Sequence, residues 1–274
     1  MPAKHPERIV CLTEESTETL YLLGEERRIV GISGYTVRPA RARREKPRVS
    51  AFLSARQEKI LELKPDLVVG FSDLQADIAR DLAKAGLNVL IFNQRSVDEI
   101  LSMILTLSSL VGAADRGASL VKKLEDGLAD IRAAGRGLAR KPRVYFEEWD
   151  EPMISAIRWV SELIGIAGGA DIFAEKSRSH AAAGRIVSAD EVRERNPEIV
   201  LGSWCGKKFR PERVAARPGW QAIAAVKANQ LFEIKSADIL QPGPAALTDG
   251  VRRIHELLRD SVSRAPRRSS SAGA

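Results

Sequence analysis

The chain has few of the residues from which catalytic and metal centres are most often built. Its 274 residues include three histidines, two cysteines and 5% aromatic residues. The two cysteines, Cys11 and Cys205, cannot form a disulfide framework and fit a reducing compartment. The histidines show neither the ligand spacing of an all-protein zinc site nor the neighbours of a catalytic triad. We therefore predict a protein that is not an enzyme and has no resident metal or cofactor.

Long apolar runs are also absent. No uninterrupted apolar stretch approaches the roughly 20 residues that cross a bilayer, so we predict no membrane span. Residues 1–8 lead directly into a strand and lack the apolar segment and small-residue cleavage site of a secretory signal. The chain as written is therefore expected in the cytoplasm. A periplasmic location is expected instead if the true start lies upstream or a signal has been removed.

Positive charge is concentrated in two segments of this chain, whose net charge is +7. The first is a basic loop, with Arg38, Arg41, Arg43, Arg44, Lys46 and Arg48. The second is a tail that contains Arg264, Arg267 and Arg268. Such segments attract an anionic ligand, lipid or nucleic acid, but they are also typical of a solvated loop and a disordered tail. No recognition-helix, zinc or RNA-stacking motif accompanies the charge, so nucleic acid is not a predicted partner.

One sequence phrase occurs twice. Residues 60–70, ILELKPDLVVG, return as residues 192–202, VRERNPEIVLG. In each copy we expect a helix to stop at the proline and three branched apolar residues to form a short buried strand. The closing glycine, Gly70 or Gly202, is expected to let the chain turn at the carboxyl end of that strand. A helix–strand unit in each half of the chain predicts two similar α/β lobes.

The lobes are separated by a segment with almost no strand signal, residues 97–139. Within it Leu120, Leu124, Leu128 and Ile131 recur at helical spacing, which predicts a long bridging helix. On either side, strand and helix signals alternate as in a parallel, doubly wound sheet. The predicted divisions are an N-terminal lobe at 1–112, the bridging helix at 113–141, a C-terminal lobe at 142–260 and a disordered tail at 261–274.

Aromatic residues gather at or just past predicted strand ends and at the start of the next helix. They are Tyr35, Phe71, Trp149, Trp159 and Trp204. Ligands of open α/β sheets bind beyond the carboxyl ends of the strands. We therefore expect these side chains to wall a broad, flat, mostly apolar ligand, with Arg158 and Gln241 at its polar edge. For each aromatic taken alone, packing in a core is the alternative.

Cys205 is a further candidate ligand-binding residue. It lies between Trp204 and Gly206 and is followed by Lys207 and Lys208. Nearby lysines lower the pKa of a thiol and favour the thiolate, which suits metal ligation or covalent chemistry. The alternative is a small residue that fills space at a strand end.

Several segments together resemble a known family. They are residues 8–12 with 14–18, 30–35, 64–69, 148–152, Trp159 with 168–169, 218–220 and 241–244. On these segments, about residues 8–258 are similar to the cobalamin- and siderophore-binding proteins of ABC importers, the helical-backbone class. As a set they resemble the cobalamin-binding branch most.

The resemblance implies an α/β fold of two Rossmann-like lobes with parallel-type sheets, joined by one long bridging helix, with the ligand in a cleft between the lobes. It implies a large metal chelate as ligand, first of all cobalamin or a related corrinoid, and an ABC transporter permease as partner. Asp77 and Glu212 are the nearest matches to the acidic residues through which family members dock on the permease. We expect a monomer. The turn at 13–16 is more acidic than the small-residue turn usual in the family.

Four alternatives stay open at this point. The first is a binder of a ferric siderophore or haem. The basic loop favours this alternative if the loop folds over the cleft, because anionic chelates need positive charge. The second is a cytoplasmic carrier or sensor of a corrinoid or metal chelate. The third is an enzyme with Cys205 as nucleophile. The fourth is a cytoplasmic interaction protein whose cleft is empty.

Overall fold

A computed structural model describes residues 5–264, which form two compact units. Unit 1 contains the described residues up to Ala129 together with Lys235–Gly250, which we call the returning segment. Unit 2 contains Asp130–Ile234 and the described residues from Val251 onward. The chain therefore enters unit 1 twice, and neither unit is continuous in sequence.

This division differs from the predicted one in two respects, of which the first is that its boundary falls between Ala129 and Asp130, inside the predicted bridging helix. The second concerns the returning segment. The prediction for 142–260 placed the returning segment in the C-terminal lobe, but it packs in unit 1. The backbone N–H of Ala245 donates a hydrogen bond to Glu18, and the carboxylates of Asp238 and Asp249 form ion pairs with Arg38. These contacts join residues about two hundred positions apart, so no local sequence pattern predicts them.

Unit 1 is built on a six-stranded sheet. Its strands are β1 (Ile9–Cys11), β2 (Ile29–Ser33), β3 (Arg48–Ala51), β4 (Ser54–Ala55), β5 (Leu67–Phe71) and β6 (Val89–Phe92). They lie in the order β4-β3-β2-β1-β5-β6, and all neighbours are parallel except the antiparallel pair β3 and β4. The neighbours of β1 are β2 and β5, so the strand order reverses at β1, as in a doubly wound sheet.

Unit 2 is built on a five-stranded sheet. Its strands are β7 (Arg143–Asp150), β8 (Met153–Ser155), β9 (Ala170–Asp171), β10 (Ile199–Gly202) and β11 (Leu231–Glu233). They lie in the order β11-β10-β7-β8, and β9 also pairs with β7. All pairs are parallel except β7 with β8. The predicted α/β class with parallel-type sheets is confirmed.

Helices connect the strands in both units. Within residues 5–264 they are α1 (Glu14–Leu22), α2 (Ala42–Glu45), α3 (Gln57–Glu62), α4 (Ala76–Lys84), α5 (Val97–Leu110), α6 (Ala114–Arg136), α7 (Arg158–Ile166), α8 (Ala189–Arg195), α9 (Pro211–Ala215), α10 (Ala224–Lys227), α11 (Ser236–Ile239) and α12 (Val251–Arg264). No helix in this part of the chain is both long enough and apolar enough to cross a membrane.

The helix predicted at 113–141 is α6, which begins at Ala114 and ends at Arg136. Val121, Leu124 and Leu128 are buried along one side of it. Gly112, with a φ of 73°, separates it from α5, so residues 97–139 form two helices. A positive φ is unfavourable for a residue with a side chain, and glycine allows this break.

The predicted disordered tail begins too early. Residues 261–264 continue α12, and Ser261 is buried. The rest of that prediction, including Arg267 and Arg268, lies outside the described residues.

The repeated phrase folds in the same way in both units. The residue before each proline, Lys64 or Asn196, has a left-handed backbone with a φ of 46° or 44°. A left-handed residue commonly ends a helix, and the residue before a proline avoids the helical region. The strands that follow, β5 and β10, are buried at every position. The predicted helix stop and buried strand are therefore confirmed in each copy.

The acidic residue after each proline holds the start of the central strand. Asp66 accepts hydrogen bonds from the backbone N–H groups of Glu7 at 2.8 Å and Arg8 at 3.0 Å. Glu198 accepts one from the N–H of Arg143 at 2.8 Å. Hydrogen bonds to a charged acceptor are stronger than those between neutral groups. The two copies thus fix where β1 and β7 begin.

The glycines of the repeat serve close packing, and the prediction that they let the chain turn is wrong. Neither Gly70 nor Gly202 has a positive φ. A Cβ atom at Gly70 would lie 2.5 Å from Oε1 of Gln75, and one at Gly202 would overlap the ring of Phe209. The space beside each strand end is filled by a side chain that a methyl group would displace.

The Gly202→Ala variant is expected to lower the free energy of unfolding by about 1–3 kcal/mol, because a methyl group would overpack the core against Phe209. Chemical denaturation measures this change. Gly165→Ala in α7 is the control, because its Cβ atom would meet nothing within 4 Å and alanine favours a helix by up to about 1 kcal/mol. An equal or smaller loss for Gly202→Ala than for the control would contradict the packing argument.

Candidate functional site

The most exposed large apolar side chains of the described chain lie at strand ends of unit 1. Leu53, Leu74 and Tyr35 are 69%, 60% and 59% exposed. Tyr35 follows β2, Leu53 lies in the turn after β3, and Leu74 follows β5. Because these three strands are parallel, their carboxyl ends share one edge of the sheet. We call Tyr35, Leu53 and Leu74 the unit 1 rim. Exposed apolar residues that share one edge are candidates for an interaction site.

Tyr35 was predicted as a ligand-binding residue, but Leu53 and Leu74 were not. Leucine is the commonest apolar residue and is usually buried, so its identity carries no signal. The position of Leu53 after β3 appears only in the structure, because no strand was predicted before it.

Phe71 lies inside unit 1 and does not form an open wall. It is the buried last residue of β5, and the Arg95 guanidinium lies 4.9 Å from the centroid of its ring. Arg95 also donates hydrogen bonds to Ser72 Oγ at 3.2 Å and to Asp73 Oδ1 at 3.0 Å. The Phe71 ring, which was predicted to contact a ligand, is therefore covered by Arg95.

Three glutamates of α1 lie buried after the carboxyl end of β1. They are Glu14, Glu15 and Glu18, which we call the acidic cluster. Oε1 of Glu14 accepts hydrogen bonds from the backbone N–H groups of Val37 at 2.9 Å and Arg38 at 2.6 Å. The acidic turn noted in the sequence therefore anchors the loop that follows β2.

Arg38 contacts three carboxylates, one on α1 and two in the returning segment. Its guanidinium lies 3.0 Å from Glu18, 3.1 Å from Asp238 and 2.7 Å from Asp249. The second oxygen of Glu18 accepts the N–H of Ala245 at 3.1 Å. Arg38 therefore binds the returning segment to α1. The prediction that it forms part of a solvated or ligand-binding basic loop is wrong.

Burial raises the pKa values of the acidic cluster. The pKa of Glu14 and that of Glu15 are both raised to about 7, because burial disfavours the charged carboxylate and neighbouring glutamates add to the effect. Burial also raises the pKa of Glu18, although Arg38 opposes the shift. Oε2 of Glu15 is buried without a hydrogen-bond partner in the described residues.

Gln241 lies in the returning segment of unit 1, where it is half-buried. Two neighbours tie this segment down. The side-chain amide of Gln94 donates to the carbonyl of Pro242 at 3.0 Å, and a Cβ atom at Gly243 would lie 2.5 Å from Cβ of Glu15. The polar residue predicted for the ligand edge thus lies on a segment packed directly on the acidic cluster.

In unit 2 Glu147 of β7 lies beside Gly202, the last residue of β10, and is completely buried. Arg217 donates to both of its oxygens, at 2.5 and 2.9 Å. The indole N–H of Trp204 and the hydroxyl of Tyr145 also donate to it, at 3.0 and 3.1 Å. A buried carboxylate needs a paired charge and further donors to offset its lost hydration, and Glu147 has both.

Two of the three predicted tryptophans of unit 2 belong to its interior. Trp204 is buried and packs edge-on against Phe209 at 5.1 Å, and Trp159 is buried as well. The burial of both residues agrees with the core alternative. Trp149 is half-buried. Its indole N–H donates to the carbonyl of Glu151 at 2.9 Å, and the ammonium of Lys207 lies 4.1 Å from its ring centroid.

Arg158 is exposed at the start of α7. Its guanidinium pairs with Glu162 at 2.9 Å. With Ser161, Ser177 and Arg178 it borders a pocket of about 470 Å³ within unit 2.

The thiol of Cys205 is not activated. Although the residue is exposed, the protein packed around the thiol raises its pKa, and the carboxylate of Glu148 adds to the shift. The prediction that nearby lysines lower this pKa is wrong, because Lys207 pairs with Asp150. A raised pKa gives less thiolate at neutral pH and disfavours the Cys205 nucleophile. Within residues 5–264 no group of three or more His, Cys, Asp or Glu is placed to hold a metal ion.

The two residues matched to permease docking are both exposed on helices. Asp77 lies on α4 and pairs with Arg80 at 2.6 Å. Glu212 lies on α9, with its carboxylate 3.8 Å from Arg210.

Comparisons with known proteins agree along nearly the whole chain. A family model described as periplasmic binding protein matches residues 9–237. A vitamin B12-binding protein of Vibrio cholerae is 28% identical over 264 residues, which cover 92% of this chain and 89% of that protein. An uncharacterised ABC transporter substrate-binding lipoprotein of Bacillus subtilis is 25% identical over 263 residues, which cover 92% of this chain and 80% of that protein.

Solved structures agree in fold. A possible iron-binding, periplasmic solute-binding protein of Staphylococcus epidermidis has a TM-score of 0.80 at 21% identity, covering 93% of this chain and 99% of that chain. A periplasmic haem-binding protein of Pseudomonas aeruginosa has a TM-score of 0.78 at 20% identity, covering 93% and 94%.

The acidic cluster is expected to make stability depend on pH. The pKa of Glu15 is about 7 in the folded chain against an ordinary 4.5, so the folded state binds the proton more tightly. The stabilisation is complete below about pH 4.5 and is lost as the pH rises through about 7. Denaturation midpoints at pH 5.5 and pH 8 should therefore show a higher free energy of unfolding at the lower pH, by on the order of 1 kcal/mol or more.

The Glu15→Gln variant should reduce this pH dependence, because a carboxamide does not ionise. Glu125→Gln, a substitution at an exposed position of α6, is the matched control. Its free energy of unfolding should depend on pH as that of the wild type does. The argument fails if Glu15→Gln and wild type lose stability equally between the two pH values.

Proposed function

Because this chain belongs to the periplasmic binding protein family, we propose that it is the substrate-binding component of an ABC importer and binds a large planar metal chelate, first of all cobalamin or a related corrinoid. The observation that carries the proposal is the unit 1 rim, three large apolar side chains left exposed at one sheet edge. The relatives named as an ABC transporter lipoprotein and a vitamin B12-binding protein support the two parts of the proposal.

The rim suits the chemistry of such a ligand. Covering one large apolar side chain gains about 1.5–3 kcal/mol, so three exposed side chains at one edge favour a ligand with a broad apolar face. A corrin ring has such a face, with amide groups around its edge. Tyr35 adds an aromatic ring and a hydroxyl, which can meet both parts of the ligand.

Other residues are assigned to the ligand from the sequence and from their placement. Trp149 and Arg158 of unit 2 and Gln241 of unit 1 lie at least partly at the surface, and we propose that they contact the ligand. Phe71, Trp159 and Trp204 are buried, so we propose that they support the site without touching the ligand. Cys205 has no assigned part in binding.

Haem is the second candidate ligand. A porphyrin is also flat and apolar, so the same rim suits it. The fold shared with the haem-binding protein of Pseudomonas aeruginosa gives this candidate a specific reason. A ferric siderophore stays a third candidate within the same class of metal chelates.

Calorimetric titration with cyanocobalamin, cobinamide and haemin tests the ligand. One of the three is expected to bind with a Kd in the micromolar range or below, and Leu53→Ala and Tyr35→Ala should each weaken that binding about tenfold through lost apolar contact. Leu22→Ala is the matched control, because Leu22 is 54% exposed but lies on α1 away from the strand ends.

Two results would contradict the proposal. The first is binding no tighter than millimolar to all three chelates. The second is binding that Leu22→Ala weakens as much as Leu53→Ala does, because the rim would then have no special part in it.

We also propose that the protein acts outside the cytoplasm and docks on its permease through Asp77 and Glu212. The relatives named as periplasmic or as a lipoprotein support this location, and the exposure of both carboxylates supports docking.

The Asp77→Lys and Glu212→Lys variants should lower ligand uptake by cells at least about fivefold and leave the Kd unchanged, since a reversed charge opposes docking. Asp126→Lys on α6 is the exposed control. Uptake that stays at the wild-type level in both docking variants would contradict the docking role.

A further inference from the structure

A groove of about 970 Å³ lies in unit 1, and none of the residues assigned above to the chelate lines it. Its walls come from the end of the basic loop, from β3 and β4, and from the start of α3. Five cationic side chains line it, against a single carboxylate, that of Glu62. The five are Arg43, Lys46, Arg48, Arg56 and Lys59.

These five cations are unpaired. Among residues 5–264 none of them lies within 4 Å of a carboxylate oxygen. The same loop shows the contrast, because Arg38 pairs with Glu18 at 3.0 Å and Arg41 pairs with Glu26 at 3.0 Å. Arg38 and Arg41, at the start of the basic loop, thus form ion pairs, whereas the five cations that line the groove form none within 4 Å.

The groove also contains a polar group without a partner. The hydroxyl oxygen of Ser50 is buried, and no hydrogen-bond partner for it is found in the described residues. Ser50 belongs to β3 and lines the groove. Buried polar groups are nearly always hydrogen-bonded, so an acceptor that enters the groove would satisfy this hydroxyl. Burial also lowers the pKa of Lys46, which indicates that this ammonium is partly desolvated.

We propose that this groove is a second binding site, for a small polyanion that carries at least two phosphate or carboxylate groups. Two clusters of cations, residues 43–48 and residues 56–59, flank the groove. Arginine binds both oxygens of a phosphate or carboxylate through its planar fork, and such charge-assisted hydrogen bonds are about twice as strong as neutral ones. A ligand with anionic groups at both ends meets both clusters at once.

The concave shape favours a small molecule over a membrane surface. A volume of about 970 Å³ lies at the upper end of the range of about 300–1,000 Å³ for small-molecule sites. A flat layer of lipid headgroups would meet the exposed arginines but would leave the Ser50 hydroxyl without an acceptor.

Calorimetric titration of the full chain with tripolyphosphate tests the proposal, with citrate as the carboxylate probe and inorganic phosphate as the single-group probe. Tripolyphosphate or citrate should bind the wild type at least about tenfold more tightly than phosphate does, because two groups engage both clusters. The Arg48→Gln/Arg56→Gln variant should weaken that binding at least about tenfold. Arg43→Gln/Lys59→Gln is a second pair from the two clusters, used if the first does not keep the wild-type circular dichroism spectrum.

The control variant is Arg27→Gln/Lys84→Gln, which removes the same amount of charge from exposed cations of unit 1 that lie outside residues 43–59 and do not line the groove. It should bind within about twofold of wild type, since general charge attraction is weak beyond a Debye length of about 10 Å. An equal loss in this control would overturn the proposal, as would no binding of tripolyphosphate or citrate. Binding only to vesicles that contain phosphatidylglycerol would show a lipid surface and would also overturn it.

Discussion

A carboxylate placed one residue after a proline holds the first N–H groups of the central strand in both units. Asp66 does this for β1 and Glu198 for β7. The central strand sets the alignment of its parallel neighbours, and parallel neighbours bring their carboxyl ends to a common edge. The placement of the unit 1 rim and of the carboxyl-end cluster around Glu147 follows from this alignment. The repeated phrase in the sequence is therefore the determinant of both edges.

The parts of the structure that sequence could predict are those with a local pattern. The strands β5 and β10 are short branched apolar runs between a proline and a glycine, and α6 shows helical spacing. The returning segment was missed because its contacts with Arg38 and Glu18 join distant positions. Phe71 and Trp204 were misjudged because an aromatic residue at a strand end has the same sequence pattern whether it faces the interior or solvent. Leu53 and Leu74 were missed because leucine residues are usually buried.

Charge is handled in the same way at the centre of both units. Glu18 with Arg38, and Glu147 with Arg217, are carboxylates in the interior that each meet a guanidinium and a further donor. Removing one member of such a pair leaves the other charge buried and is strongly destabilising. The five cations around the 970 Å³ groove differ from these residues, because none of them forms an ion pair within 4 Å. Two raised pKa values in the acidic cluster show where pairing is incomplete.

The discontinuity of unit 1 has a consequence for how the protein is made. When Ala129 has left the ribosome, all six strands of the first sheet exist, but Arg38 and Glu18 still lack Asp238, Ala245 and Asp249. An N-terminal domain commonly folds during translation. Here a sheet that folds before translation reaches Gly250 has the Arg38–Glu18 pair but lacks the partners in the returning segment, and the second sheet is synthesised in the interval. Unit 1 can therefore be completed only after every strand of the unit 2 sheet has been synthesised.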